Sequence, residues 1–200
     1  LSSHSNYSLR FIGGSLSIAP AMLTVTAAST SRLYGVANPD FGVTISGFVG
    51  ATPGAALDTV NSLSALPVAS SAAGITSNTG NYAVTASGGT AQNYSFSYVS
   101  GVLQVTPTPL IVTADAKTKV YGTTDPALSF ATSGLRNADT AAAVLTGTLA
   151  RAVGNNVGSY AITQGTLAAS NNYLLSYVGA LFAITPATVN FAVANSAAIY

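Results

Sequence analysis

The sequence reads LYGVANP at residues 33–39 and VYGTTDP at residues 120–126. The markers shared by the two stretches are Tyr34, Gly35 and Pro39 in the first and Tyr121, Gly122 and Pro126 in the second. A Ser-Gly pair follows at the same distance in both, at 46–47 and 133–134. A motif that returns together with its surroundings indicates an internal repeat. We therefore expect one unit, present more than once, to decide the fold.

Three further markers recur along the chain. A Gly-x-Tyr strand occurs with Tyr82 and Tyr160, an Asn-Tyr pair with Tyr7, Tyr94 and Tyr173, and a closing proline at Pro20, Pro107 and Pro186. With Tyr200 interpreted as the tyrosine of a further Tyr-Gly head, the Tyr-Gly, Asn-Tyr and Pro markers all give spacings of 87 and then 79 residues. Because three independent markers agree on both spacings, the repeat is a strong signal.

These markers divide the chain into four parts. We predict a first complete repeat at residues 21–107 and a second at residues 108–186. Residues 1–20 are interpreted as the C-terminal part of a preceding repeat, because they contain an Asn-Tyr pair and a proline at repeat spacing. Residues 187–200 are interpreted as the N-terminal strand of a following repeat. We expect the chain to be a window on a longer array.

Alternation of apolar and polar residues predicts short strands. Residues 23–27 and 94–98 alternate with the period of a half-buried strand. Residues 173–177 alternate less regularly, and they predict a strand buried on both faces.

A second strand is expected to follow in each repeat, at residues 102–105 and 181–184. We predict that it forms a hairpin with the strand before it, through turns at Gly101 and Gly179. The proline that follows should end sheet pairing and stiffen the connection to the next repeat.

One segment of each repeat has helical character. In the second repeat, Asp139 is the candidate N-cap of the Ala-rich run 140–145. In the first, Thr52 and Pro53 suit the start of a helix over residues 55–63. The first repeat is longer in this region, so we expect its extra residues to lie in a surface crossover.

Each repeat is therefore predicted to be mainly β, an α+β unit with a small mixed sheet and one short helix. One helix laid across such a sheet is a β-grasp-like arrangement. The alternative is an immunoglobulin-like β-sandwich, in which the helical segment would have to be a loop.

The Tyr-Gly head, the Gly-x-Tyr and Asn-Tyr strands and the closing Ile-Thr-Pro together resemble the MBG repeat of the Tyr-Gly type. Such repeats occur in arrays within large bacterial exoproteins, including filamentous-haemagglutinin-like adhesins. The resemblance covers essentially the whole chain. It implies a β-grasp-like fold, secretion to the bacterial cell surface, a stalk or adhesive role, and no catalytic residues. The first copy departs from the pattern between Gly54 and Ile75, where it carries extra residues.

Composition argues against several classes of function. Charged residues are 6% of the chain and the net charge is +1, so no basic stripe for nucleic acid is available. No apolar run reaches the ~18 residues of a membrane-spanning helix. The chain has no cysteine and a single histidine, His4, which is expected to be exposed. A Ser-His-acid triad cannot be built within the complete repeats, so we expect neither an enzyme nor a bound cofactor.

The acids and the tyrosines favour structural roles. None of the five aspartates recurs at an equivalent position in both copies, so turns and a helix cap are the favoured interpretation. Calcium at a repeat junction, held by Asp115 or Asp125 with backbone carbonyls, is left open. The Tyr-Gly tyrosine recurs, which favours a ring packed at a repeat joint over one that stacks on sugars. The residues where copies differ, 54–75, are the better candidate for a ligand site.

Two functions remain. The first is a rod-like stalk or fibre whose partners are neighbouring repeats of the same chain, with lateral self-association favoured by its low charge. The second is an adhesive module that contacts glycans or host proteins.

Overall fold

The computed structural model describes residues 6–50 and 54–193. Strands dominate these residues, and no helix among them is long and apolar enough to cross a membrane. The residues form two compact units. One contains residues 6–28, 41–50, 54–70 and 84–101, and the other contains residues 29–40, 71–83 and 102–193. The second unit therefore holds parts of both predicted repeats, and the prediction of a mainly β chain is confirmed.

The first repeat has seven strands: β1 (Ala21–Ala27), β2 (Thr30–Leu33), β3 (Val43–Ser46), β4 (Ala65–Ser70), β5 (Gly80–Thr90), β6 (Tyr94–Val99) and β7 (Gly101–Thr106). Strand β1 pairs antiparallel with β3 and parallel with β6. Strand β2 pairs parallel with β7, and β4 pairs antiparallel with β5. The strand orders are β3-β1-β6 and β2-β7-β5-β4.

The second repeat lies wholly in the second unit and follows the same plan. Its elements are β8 (Thr108–Ala114), β9 (Lys117–Val120), β10 (Phe130–Ser133), α1 (Ala141–Val144), β11 (Leu145–Thr146), β12 (Ala150–Arg151), β13 (Gly158–Thr163), β14 (Ala168–Ala169), β15 (Tyr173–Val178) and β16 (Ala180–Thr185). The sheets have the orders β10-β8-β15 and β12-β13-β16-β9, and β11 pairs with β14. Both sheets are mixed, because β8–β15 and β9–β16 are parallel pairs.

The last two strands of the repeat do not form a hairpin, so that prediction is wrong. Strand β15 pairs with β8, whereas β16 pairs with β13 and β9. Only Gly179 separates β15 from β16, which is too short for the two-residue turn of a tight hairpin. The chain instead passes at this point from one sheet to the other. Strands β6 and β7 of the first repeat also belong to different sheets.

Strand β15 is exposed on one face, contrary to the prediction of burial on both. Tyr173 is 5% exposed, but Leu174 is 66% exposed and Val178 is 48% exposed. The strand therefore alternates like β6. The sequence of β15 led to the wrong prediction because apolar residues occupy its solvent-facing positions.

One buried cluster in the second repeat contains residues from β8, β13 and β16: Ala114, Ile162, Phe182 and Ile184. Leu110 and Val112 of β8 are completely buried, as are Leu23 and Val25 at the matching positions of β1. Full burial of one such aliphatic side chain contributes about 1.5–3 kcal/mol. The central strand of each three-stranded sheet thus contributes completely buried side chains to the core of its repeat.

The helical segments are shorter than predicted. Helix α1 is capped by Thr140, whose Oγ1 accepts from the Ala143 N–H at 3.3 Å, so the assignment of Asp139 as the cap is wrong. In the first repeat only a 3-10 helix, Val60–Ser62, forms after residue 54. Thr59 caps it, and the predicted helix over residues 55–63 is therefore wrong. The Thr-Val-Asn-Ser run has low helix propensity. Thr52 and Pro53 lie outside the described residues.

Candidate functional site

A cluster of two tyrosines and one aspartate lies in the second unit. Tyr34 is 5% exposed, and its ring packs edge-on against Tyr173 with centroids 5.6 Å apart and an interplanar angle of 74°. Both hydroxyl groups donate to the same oxygen of Asp139, at 3.1 Å from Tyr34 and 2.6 Å from Tyr173. We call these three residues the tyrosine–aspartate joint. It connects the end of β2 in the first repeat to the second repeat.

Backbone contacts position the two rings of the joint. The Tyr34 N–H donates to the carbonyl of Thr106 at 2.8 Å, which continues the pairing of β2 with β7. The Arg136 N–H donates to the Tyr173 hydroxyl at 2.9 Å. Gly35 has a φ of +74°, and a Cβ there would lie 2.4 Å from the Cβ of Arg136. Only glycine therefore allows the Tyr-Gly loop to approach Arg136 this closely.

A second set of contacts lies beside the joint. The Asn172 side chain accepts from the Thr79 N–H at 2.9 Å and donates to the Asn78 side chain at 2.9 Å. The Asn137 side chain donates to the carbonyl of Ile75 at 3.3 Å. These amide contacts hold the turn before β5 against the second repeat, so two separate loops of the first repeat are engaged.

Asp58 is the counterpart of Asp139, although the sequence spacing conceals it. The Tyr94 hydroxyl donates to Asp58 at 2.7 Å, as the Tyr173 hydroxyl donates to Asp139 at 2.6 Å. Asp58 stands eleven residues after its Ser-Gly pair, whereas Asp139 stands five after its own. The interpretation that no aspartate recurs at an equivalent position is therefore wrong. Six of the nine extra residues between the Ser-Gly pair and the Gly-x-Tyr strand precede Asp58, and its carboxylate still contacts the equivalent tyrosine.

The environment of these tyrosines suppresses their ionisation. Burial, followed by the hydrogen bond to Asp139, raises the pKa of Tyr173 to about 12. Burial and the hydrogen bond to Asp58 also raise the pKa of Tyr94 above its ordinary value. A second negative charge beside the carboxylate is unfavourable, so each pair is held as a neutral hydroxyl and a carboxylate.

A second cluster follows the Tyr-Gly loop of the second repeat. Asp125 accepts from Lys119 at 2.7 Å through one oxygen and from Arg151 at 2.5 Å through the other. Arg151 and then Lys119 lower the pKa of Asp125 to about 2. The Arg151 guanidinium also lies over the rings of Tyr160, at 5.5 Å, and Phe182, at 4.9 Å. Two cations thus already occupy the carboxylate that the sequence left open as a calcium ligand. No group of three or more potential metal ligands occurs in the part of the chain that the structure describes.

The first repeat replaces this ion pair with a neutral partner. Arg32, only 6% exposed, stands where the second repeat has Lys119 and donates to the Asn38 side chain at 2.6 Å. Arg32 also donates to the carbonyl of Gly74 at 2.5 Å. Asn38 occupies the position of Asp125, one residue before the marker proline. The cation and its partner have therefore changed together between the copies.

The two repeats match one known family. The MBG domain of the YGX type matches residues 23–104 and residues 110–183. The chain belongs to the MBG domain family. The resemblance drawn from the Tyr-Gly, Gly-x-Tyr, Asn-Tyr and Ile-Thr-Pro markers is confirmed, as is the tandem repeat. A search of curated proteins and a search of solved structures each found no match.

The other tyrosine markers of the MBG repeats support local turns. The Tyr82 hydroxyl donates to the carbonyl of Asn78 at 2.8 Å, and the Tyr160 hydroxyl donates to that of Asn156 at 2.8 Å. Each ring thus ties the first residues of its strand to the turn that precedes it.

The proline markers lie in connections between strands. Pro107 alone separates β7 from β8, and Pro186 follows the last residue of β16. Pro39 and Pro126 lie in the connections that follow β2 and β9.

The second Tyr-Gly loop differs from the first in its surroundings. Tyr121 is 51% exposed, against 5% for Tyr34. Gly122 has a φ of +85°, and a Cβ there would meet nothing within 4 Å. His4 and Tyr200 lie outside the described residues.

Proposed function

We propose that these MBG repeats form a structural segment of a secreted bacterial surface protein, serving as a rod-like stalk or extracellular fibre. The tyrosine–aspartate joint carries this proposal. The most distinctive marker of the repeat, its Tyr-Gly loop, is used to hold the repeat that follows. In an array each loop would hold the next copy, so that the length grows with the number of copies. Membership of a family of tandem surface-type repeats supports the extracellular setting.

A non-enzymatic role is part of the proposal. Asp58 and Asp139 accept from tyrosines, Asp125 is paired with two cations, and Asp115 accepts from Ser129 at 2.6 Å. Carboxylates engaged in this way are poor general bases, because their lone pairs and charge are already committed.

The strand pairing supports a β-grasp-like repeat over an immunoglobulin-like one. The first strand of the second repeat, β8, pairs parallel with β15, and β9 pairs parallel with β16. An immunoglobulin sandwich consists of antiparallel sheets. We therefore assign the repeat to the β-grasp-like class, with α1 as a reduced crossover helix.

Small-angle X-ray scattering on the 200-residue chain tests the stalk. A single compact domain of this length has a radius of gyration of about 16 Å. Two repeats that extend in line should give a clearly larger radius, with the pair-distance distribution of an elongated particle. A radius near the compact value with a symmetric distribution would contradict the rod.

The alternative, an adhesive module, predicts a sugar-binding surface. Part of the variable stretch assigned to a ligand is used for packing instead, since Gly74 and Ile75 accept from Arg32 and Asn137. Exposed rings remain at Tyr98 and Tyr121, which are 42% and 51% exposed. We expect no chemical-shift changes at these rings when the chain is titrated with millimolar glycans. Saturable shifts there would favour adhesion over a purely structural role.

We also propose that copies of the chain associate laterally with one another. Several solvent-facing strand residues of the second repeat are apolar: Ile111, Val120, Leu174, Val178 and Leu181. With 6% charged residues, neighbouring copies repel each other little. Each such contact is weak for a single 200-residue chain and adds up only along an array of many copies. The expected signature is light scattering by longer arrays that does not change with salt concentration.

A further inference from the structure

The tyrosine–aspartate joint has a counterpart in the first unit, in which the aspartate contacts one tyrosine and not two among the described residues. A groove of about 370 Å³ is lined by residues that include Pro20, Val49, Asp58, Asn93 and Tyr94. Asp58 and Tyr94 repeat the pair formed by Asp139 and Tyr173. We call this feature the Tyr94 groove.

The match between the two sites extends to the backbone. The Val49 N–H donates to the Tyr94 hydroxyl at 3.2 Å, as the Arg136 N–H donates to the Tyr173 hydroxyl at 2.9 Å. The carbonyl of Asn93 accepts from the Ala21 N–H at 2.9 Å. In the second repeat the carbonyl of Asn172 accepts from the Thr108 N–H at 3.0 Å. The Tyr94 groove is thus built like the site that receives Tyr34.

The two sites differ in the side chains that contact the aspartate and the asparagine. Asp139 accepts from two tyrosine hydroxyls, whereas Asp58 accepts only from Tyr94 among the described residues. The Asn93 side chain is exposed, while Asn172, which contacts the Asn78–Thr79 turn, is half-buried. Phe48 packs edge-on against Tyr94 at 5.7 Å but does not line the groove. The groove therefore has space beside Asp58 for a second ring.

The second unit carries a matching free loop. The Tyr121 N–H donates to the carbonyl of Thr185 at 2.8 Å, which repeats the bond from Tyr34 to Thr106. Gly122 has nearly the same φ as Gly35, +85° against +74°. Asn156, like Asn78, precedes its Gly-x-Tyr strand and accepts from that strand's tyrosine. The backbone shape of the docked loop is thus present at Tyr121, although this ring is half exposed.

We propose that the Tyr94 groove binds the Tyr-Gly loop of another copy of the repeat. The incoming tyrosine packs its ring on Tyr94 and donates its hydroxyl to Asp58. The asparagine of the incoming turn, equivalent to Asn156, bonds to the Asn93 side chain. This inference rests on the proposed structural function and gives it a mechanism: the loop and the groove are two different surfaces, so the contact is head to tail and does not close at a dimer.

Self-association of the 200-residue chain tests the proposal, because the described residues include one exposed Tyr-Gly loop, at Tyr121, and one groove of this kind, at Tyr94. Within an array the joint forms at an effective concentration of about 1 mM, so contact between separate chains is expected to need concentrations approaching that value. Sedimentation equilibrium of the wild type should show a mass that rises above 19.9 kDa with concentration. A mass that stays at 19.9 kDa up to about 1 mM would overturn the proposal.

Two variants separate the loop from the groove. Tyr121→Ser removes the incoming ring, and Gln92→Trp places a bulky side chain at the exposed rim of the groove. Each variant alone is expected to remain monomeric. Mixed in equal amounts they should form a dimer and nothing larger, because only one functional loop and one functional groove remain. If either variant associates like the wild type, or if the mixture stays monomeric while the wild type associates, the proposal fails.

A disulfide trap detects the contact even when it is weak, because the chain has no cysteine of its own. Asn93→Cys in one chain and Asn156→Cys in another should crosslink under mild oxidation. The rate should exceed that of a control pair, Asn93→Cys with Leu181→Cys, by about 10-fold at equal concentration. Equal rates would overturn the proposal. Scattering from monomeric Tyr121→Ser tests the rod separately, so failure of the docking contact and failure of the stalk are distinguishable.

Discussion

At the residue scale, one carboxylate organises the joint. Asp139 accepts from Tyr34 and Tyr173, two side chains that are each 5% exposed. Hydrogen bonds to a charged acceptor contribute about 1.5–3 kcal/mol each, and a buried donor left without an acceptor is costly. The stability of the joint therefore depends more on the Asp139 side chain, which accepts both hydrogen bonds, than on the ring of either Tyr34 or Tyr173, which donates one to it.

Replacement of Asp139 measures that dependence. We expect Asp139→Ala to lower the free energy of unfolding by about 2–3 kcal/mol, because two buried hydroxyl groups lose their acceptor. Urea denaturation gives the value. The exposed Asp40 provides the control: Asp40→Ala should change stability by less than about 0.5 kcal/mol. Equal effects of the two variants would show that the hydrogen bonds of the joint are not stabilising.

Replacement of a buried hydroxyl group, that of Thr108, is expected to raise the stability of the chain. Thr108 is 1% exposed, and its Oγ1 has no hydrogen-bond partner among the described residues. We expect Thr108→Val to stabilise the chain by about 1 kcal/mol, since it removes an unsatisfied polar group while keeping the shape. The melting temperature should rise, and it should not change in the exposed control Thr113→Val. A fall for Thr108→Val would indicate that a buried water satisfies the hydroxyl.

At the scale of the element, the same loop occurs in two environments. Gly35 and Gly122 both have positive φ, but only Gly35 lies against Arg136. Any other residue pays a conformational cost at both positions, and a steric cost at only one. A comparison of substitutions in the two loops therefore separates the cost of the backbone conformation from the cost of the steric overlap.

Alanine at each glycine tests this separation. Gly122→Ala should cost about 1–2 kcal/mol for the left-handed backbone alone. Gly35→Ala should cost a further 1–3 kcal/mol, roughly, because its Cβ would overlap that of Arg136. Parallel urea titrations of the two variants give the difference. If both lose the same stability, close packing of the Tyr-Gly loop is not part of the joint.

At the scale of the whole molecule, few groups titrate. The chain has five acids, six basic residues and one histidine. Two groups have large pKa shifts, and the pKa values of Tyr94 and Tyr177 are also raised. The pKa of Asp125 is lowered from 3.8 to about 2, and that of Tyr173 is raised from 10.0 to about 12.

These shifts predict a broad plateau of stability. The contribution of Asp125 is present above the unfolded pKa and is lost as the pH falls through about 2. The contribution of Tyr173 is present below the unfolded pKa and is lost as the pH rises through about 12. The melting temperature should therefore be nearly constant from about pH 5 to 9 and fall on both sides. Tyr173→Phe should reduce the fall in melting temperature on the alkaline side, while Tyr94 and Tyr177, whose pKa values are also raised, retain part of it. A wild-type profile with a sharp maximum near neutral pH would contradict this assignment.

The strand positions and the family were accessible from the sequence because they depend on local pattern. Alternation over residues 23–27 and 94–98 located β1 and β6, and the recurring tyrosines located the repeat. Both signals come from neighbours along the chain or from identical residues at a fixed period. The helix over residues 55–63 failed for the same reason, since local composition cannot show that Leu57 bridges to Gly50.

The sequence by itself determined that the chain is a tandem MBG repeat, mainly β, with its tyrosine markers in place. The tertiary structure alone decided which residues meet. It brought Asp58 and Asp139 to equivalent tyrosines across an insertion, paired Arg32 with Asn38 where Lys119 pairs with Asp125, and moved β16 to a different sheet from β15. The physical reason is that a carboxylate needs only to arrive within hydrogen-bond distance, by whatever path its loop takes. Spacing in the sequence depends on the length of the loop that carries the carboxylate, whereas the folded structure shows which tyrosine the carboxylate contacts.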